Sequence, residues 1–249
     1  MRSAFLAPGV ALQLLTVVPL RLPAGVPSRA FAHAVAVFPV VGLVLGLAVG
    51  AVDAATERWL PASVAAGLDL ALLAAVTGGL HLDGLADTAD GLLGNMPRER
   101  RLDAMREPGI GAFGVIALVL VLIVEYAALA AIPPALRIAM LAAALAVSRW
   151  SMALILWRFP YARPSGVATP FRDGLRPAHA AVATIVTAVI AGALFGFTGV
   201  VFAAVGMALA AAVAWLAVRR LGGCTGDVYG AAGELTFAAC LVVGTAIAR

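Results

Sequence analysis

Apolar residues fill seven stretches of this chain almost without interruption, at about residues 31–52, 62–82, 112–131, 136–157, 179–197, 198–217 and 233–248. Each approaches the roughly twenty residues that an α-helix needs to cross the hydrocarbon core of a bilayer. Polar positions gather between the stretches. The chain therefore reads as an all-α, polytopic integral membrane helical bundle of about seven transmembrane helices, a single membrane-embedded domain over residues 1–249. Only Gly196, Thr198 and Gly199 mark a turn between the fifth and sixth stretches, so one kinked unit is the alternative there. The first thirty residues differ. Pro8, Gln13 and Pro19 interrupt a short apolar run, and no small-x-small site precedes Arg21, which predicts an interfacial or re-entrant segment and not a cleaved leader.

Composition removes the soluble alternatives, with 63% hydrophobic and 12% charged residues and a mean hydropathy of +1.04. All 17 basic residues are Arg, and their placement orients the bundle. One side takes Arg2, Arg21 and Arg29, then Arg98, Arg100, Arg101 and Arg106, then Arg158, Arg163, Arg172 and Arg176, then Arg219 and Arg220; the other takes Arg58, Arg137 and Arg249. Basic loops stay in the cytoplasm, so the N-terminus is predicted to be cytoplasmic. A net charge of +4 is ordinary beside an anionic leaflet and gives no footprint for nucleic acid. Cys224 and Cys240 lack zinc or disulfide spacing.

The unusual polar chemistry lies on that same side, in three places. Gly78 to Gly94 packs Asp83, Asp87 and Asp90 into eight residues after His81. Spacings of four and three put the carboxylates on one helix face, where unneutralised they would repel one another. Hard oxygen donors on a rigid helix suit Mg²⁺, which shares its shell with water and substrate phosphates. The loop that follows offers Arg98, Arg100, Arg101 and Arg106; the first three read as headgroup anchors and Arg106, beside Glu107 and Gly109, as a phosphate ligand. Tyr161 to Arg172 is an irregular, Pro- and Gly-containing loop with Arg163 and Arg172 towards its ends. Gly222 to Glu234 surrounds Thr225 and Asp227 with glycines, which fits a turn held against a phosphate or another helix. Two charges fall inside spans: Arg149, expected to face a carboxylate or phosphate, and Glu125, expected to snorkel or pair with Arg137.

These residues imply Mg²⁺-assisted transfer at a phosphoanhydride. The metal set is Asp83, Asp87 and Asp90 with Asp227, one Asp taking the proton of an attacking hydroxyl, with Asp90 the guess for that base. Arg106, Arg149 and Arg163 are phosphate clamps, while His81, Thr225 and Glu234 hold nucleotide or acceptor. A cation-coupled transporter also uses intramembrane acids, but it would place them near the midplane of paired repeats, and no repeat is visible.

Gly-Gly-Leu-His-Leu-Asp-Gly-Leu-Ala-Asp-Thr-Ala-Asp-Gly, at residues 78–91, closely resembles the signature of the cobalamin synthases, the adenosylcobinamide-GDP ribazoletransferases. The resemblance extends to Leu15–Pro23, Met105–Gly114, Ser148-Arg149 and Gly222–Glu234. Cys224 stands where the family often has Gln, and Glu107-Pro108-Gly109 where it often has Asp-Ser-Arg. The resemblance implies a multi-pass enzyme of the cell inner membrane with its active site on the cytoplasmic face. It would join adenosylcobinamide-GDP to α-ribazole or α-ribazole 5′-phosphate, the acceptor's 5′ end attacking, with Mg²⁺ and release of GMP, in association with other nucleotide-loop assembly enzymes. A CDP-alcohol phosphotransferase-like enzyme is the alternative, although that family's Ala-Arg is replaced by Ala86-Asp87.

Overall fold

The computed structural model describes residues 2–247, and the described residues form eleven helices and no strand. They are α1 (Arg2–Leu15), α2 (Ser28–Thr56), α3 (Ala62–Thr77), α4 (Leu80–Leu93), α5 (Arg98–Ala104), α6 (Ala112–Ala131), α7 (Pro134–Arg158), α8 (Thr169–Arg172), α9 (Pro177–Phe195), α10 (Phe197–Leu221) and α11 (Gly226–Ile247). Six of them, α2, α6, α7, α9, α10 and α11, are long and apolar enough to cross a membrane, and α3 with α4 makes a seventh, broken unit. This is a multi-pass, all-helical membrane bundle. Ala248, the predicted end of the last span, and Arg249 lie outside the described residues.

The centre is α7, in which every residue from Met140 to Ala153 is buried. Its neighbours reach it through small residues. On α2, Gly42, Gly46 and Gly50 recur every fourth position along the α7 contact; a β-carbon on Gly46 would lie 2.5 Å from the Cα of Ala142, and one on Gly50 2.8 Å from that of Ile138. Lipid is as apolar as a leucine side chain, so such backbone proximity, with its dispersion contacts, is what holds two spans together. The outer helices leave their apolar side chains exposed, as with Ile116, Leu120 and Ile123 on α6 and Ile185 and Val189 on α9.

One predicted boundary changes and one predicted separation holds. The second span does not run to residue 82: α3 stops at Thr77, Gly78 and Gly79 take φ of 62° and 69°, and α4 departs at 88°. Two consecutive left-handed residues are easy only for glycine, so the pair ends one helix and starts the next. The fifth and sixth spans are separate helices. At Gly196 the chain reverses, Gly199 packs on the backbone of Ala191, and Phe195 meets Phe202 edge to face at 5.2 Å. The N-terminal segment forms α1, whose 14 residues span about 21 Å, short of a bilayer core of about 30 Å. It packs Ala7, Val10, Ala11 and Leu15 into the core.

The intramembrane ion pair is not the predicted one. Arg137 does not meet Glu125; it binds Asp53 of α2, Nη1 to Oδ1 at 2.9 Å, with both side chains about 1% exposed, and its Nε donates to the carbonyl of Ile132 at 3.0 Å. Asp53 was invisible as a partner because 84 residues separate it from Arg137. Glu125 is instead fully buried beside Arg149 and Glu234.

Candidate active site

Helix α4 carries the three aspartates and is fixed at both ends and along one side. At its C-terminus the unpaired carbonyls of the last turn need donors. Arg101 supplies them, Nη1 to the carbonyls of Gly91 at 2.7 Å and Leu92 at 3.1 Å, and Arg220 of α10 also donates to Leu92. Arg101 is 8% exposed, so it is not a headgroup anchor. Along one side Asp90 is bound to α6: its Oδ2 accepts from the Gly111 amide at 2.7 Å and its Oδ1 from the Gly114 amide at 2.9 Å. These amides open α6, so the carboxylate caps that helix from a distance and sits at its positive end. Asp90 thus fixes α4 against α6, while Asp83 is exposed and Asp87 half-buried.

The second face of α4 meets the first turn of α11. A β-carbon on Gly84 would lie 2.7 Å from the backbone oxygen of Asp227, so that glycine is needed for the approach, while Gly230 on the other helix lies in ordinary contact with His81. It brings Asp227 into the field of Asp83 and Asp87. Thr225 sets the turn, its hydroxyl accepting from the Val228 amide at 3.4 Å and donating to Asp227 Oδ2 at 3.0 Å. The same Oδ2 meets Arg163 Nη2 at 3.3 Å.

Arg163 arrives there because the two irregular segments are stitched together. The Cys224 amide donates to the Pro160 carbonyl and the Ala162 amide to the Cys224 carbonyl, both at 2.8 Å, a short parallel bridge that Gly223 permits by leaving its α-carbon bare. The bridge uses only the backbone of residue 224. The Cys224 thiol is buried, and burial pushes its pKa up to about 12, which keeps it protonated and inert. Tyr161 stacks on Tyr229 at 6.4 Å, and its phenol is held above the usual range by burial. Arg172 turns inward, donating from Nη1 to the carbonyls of Leu156 and Phe159 and to the Tyr229 hydroxyl, and so closes the end of α7.

Two cavities open on this region, and Asp83 lines both. One, of about 850 Å³, lies between α4 and the loop before α6, lined by Asp83, Asp87, Met105, Arg106 and Glu107. The other, of about 110 Å³, is mostly apolar and lies between α1, α2, α4, α7 and α11; Asp83, Asp227, His81 and Tyr229 are its ionisable groups. The structure thus gathers Asp83, Asp87, Asp227, Arg106, Arg163, His81 and Thr225 around one mouth.

Arg149 and Glu234 are placed differently. Arg149 is 2% exposed, donates to the Ser148 hydroxyl at 2.7 Å, and lies in the field of Glu234 and Glu125. With His81, these groups line a small inner cavity behind the site. His81 links the two regions; it is 2% exposed, and among the described residues neither ring nitrogen has a partner. Tyr161, Tyr229, Phe171 and Phe38 carry no chemical signal in the sequence and become site residues only through the helix packing.

Among the described residues no three His, Cys, Asp or Glu side chains stand close enough to form a metal shell by themselves. That is compatible with Mg²⁺, which is ordinarily held by one or two carboxylates and completed by water and substrate phosphates. The oxygen-only donors Asp83, Asp87 and Asp227 fit it.

A broken apolar unit, acids at one mouth and arginines beside them define a polytopic membrane protein with a site suited to phosphate chemistry. The chain belongs to the Cobalamin-5-phosphate synthase family, whose sequence profile matches residues 8–245. It is 39% identical over 246 residues to the adenosylcobinamide-GDP ribazoletransferase of Pseudomonas paraeruginosa, covering 97% of this chain and 98% of that one. It is also 38% identical over 232 residues to the protein of the same name from Klebsiella pneumoniae subsp. pneumoniae, covering 90% and 94%. No solved structure matches the chain.

Proposed function

We propose that this chain is a Mg²⁺-dependent ribazoletransferase of the inner membrane, acting on its cytoplasmic face. It joins adenosylcobinamide-GDP to α-ribazole or its 5′-phosphate with release of GMP. The observation that carries this reading is that Asp83, from α4, and Asp227, from α11, share one cavity and that Asp83 also lines the larger one, in a chain of this family. An acidic residue common to two cavities can stand between two substrates.

Mg²⁺, when bound, neutralises phosphate charge and stabilises the departing GMP. One or two carboxylates from the set Asp83, Asp87 and Asp227 would hold it, with water and substrate phosphate completing the shell. Arg106, exposed on the wide cleft, and Arg163, beside Asp227, meet phosphate oxygens left uncovered. Asp83 is the proton acceptor: it is exposed to both cavities, whereas both oxygens of Asp90 are committed to backbone amides and serve to position α4. The attacking oxygen is a secondary ribose hydroxyl and not the 5′ end, because a cobalamin 5-phosphate product keeps that position esterified. The new bond joins this oxygen to the cobinamide-side phosphorus, the phosphoanhydride bond breaks, GMP leaves with its electron pair, and the hydroxyl proton passes to Asp83. Arg149, behind His81, balances Glu125 and Glu234 and keeps the α7–α11 contact in register.

The test is GMP release by purified protein in lipid. Release is expected only when adenosylcobinamide-GDP, α-ribazole and Mg²⁺ are all present, and EDTA is expected to abolish it. Release without acceptor, or undiminished release in EDTA, would overturn the reading.

A further inference from the structure

We infer that the smaller, apolar cavity is the pocket for the flat heteroaromatic base of the acceptor, and that its walls set which base the enzyme attaches. The inference rests on the transferase reading above. Size is the first argument. A dry cavity of about 150 Å³ is known to hold a benzene ring. This one, about 110 Å³ with an open mouth, is on the scale of a single ring, so it takes the inner ring of a flat base while the rest stays in the mouth; it cannot take a corrinoid, for which the cleft beside Arg106, about 850 Å³, is the larger space.

Chemistry is the second. The inner wall is Leu15, Phe38, Leu156 and Phe171, all buried and none able to pair with a polar substituent. At the α4 side stands His81, nine-tenths buried or more, with both ring nitrogens unpartnered among the described residues. A buried donor without a partner is costly, and a ring nitrogen of the ligand would satisfy it. At the other side, Asp83 and Asp227 stand where a ribose attached to that base would reach. The pocket is thus amphipathic in the same sense as the acceptor, apolar for the base and acidic for the sugar hydroxyls. It fits a base with one free ring nitrogen and otherwise hydrocarbon edges. A base carrying an exocyclic amine would bury an unpaired donor against the phenylalanines.

Val167 lines the mouth of this cavity and not the wide cleft, and it is 71% exposed, so enlarging it narrows the pocket without disturbing the core. Val167→Trp and Val167→Phe are therefore the variants to compare with wild type in steady-state GMP release, using α-ribosides of benzimidazole and of adenine as acceptors. Each variant is expected to raise the acceptor KM about tenfold with the donor KM changed by less than about twofold, and wild type to prefer benzimidazole over adenine by about tenfold or more in kcat/KM. A rise in the donor KM in place of the acceptor KM, unchanged KM values for both, or equal use of adenine would overturn the assignment. Wild type releasing no GMP with either acceptor would instead overturn the transferase reading.

Discussion

Asp83→Asn is expected to lower acceptor-dependent GMP release by about a hundredfold or more, with little change in membrane insertion or thermal unfolding. The magnitude follows from what the side chain is asked to do, since a positioned general base contributes about 10²–10⁴-fold and a metal ligand's charge adds to that. The selectivity for activity over folding follows from its surroundings. Asp83 is exposed and, among the described residues, its side chain has no hydrogen-bond or ion-pair partner, so neutralising it leaves the packing of α4 intact. The check is a progress curve for GMP beside an unfolding curve for each protein. Wild-type turnover in the Asn variant would remove Asp83 from both roles.

Arg137→Met is expected to give the opposite pattern, a large loss of stability at a position remote from the site. Removing the guanidinium leaves Asp53 buried at 1% exposure with Asp69, 2% exposed, in the same field and no cation to balance them. Breaking a buried pair by deleting one partner costs about 3–5 kcal/mol. A drop in unfolding midpoint and folded yield reads this directly, and Asp53→Leu combined with Arg137→Met is expected to recover part of it, because the uncompensated carboxylate is then gone. An Arg137→Met protein as stable as wild type would show that the α2–α7 contact depends on its glycine stripe alone.

The apolar stretches announced the spans because the bilayer demands a length of about twenty residues and the sequence meets it six times outright. The acids of α4 and the glycine-rich turn before α11 were also visible, since clustered polar residues stand out in a chain so apolar. What could not be read was which partner each polar group would find. Asp90 follows the i, i+4, i+7 pattern of its neighbours, yet it caps α6 through Gly111 and Gly114, more than twenty residues away. Arg101 and Arg220 look like surface cations and instead close the end of α4. Gly78 and Gly79 lay within a predicted span, and nothing in their apolar neighbours distinguishes a packing pair from an 88° break. At Cys224 it is the backbone, and not the side chain, that makes the bridge to residues 160 and 162. Periodicity reports the environment of a helix face, while caps and ion pairs depend on the tertiary packing.

In the proposed mechanism, acids from α4 and α11, 144 residues apart at Asp83 and Asp227, act together on a metal-bound phosphate. Mn²⁺ is a paramagnetic substitute for Mg²⁺, so the most direct measurement is a titration of Mn²⁺ followed by electron paramagnetic resonance, on protein in lipid with GDP present. Wild type is expected to bind Mn²⁺ in a GDP-dependent manner, with affinity falling about tenfold or more in both Asp83→Asn and Asp227→Asn, the loss expected for one charged ligand of a shared site. Affinity unchanged in either variant, with wild type binding, would contradict it.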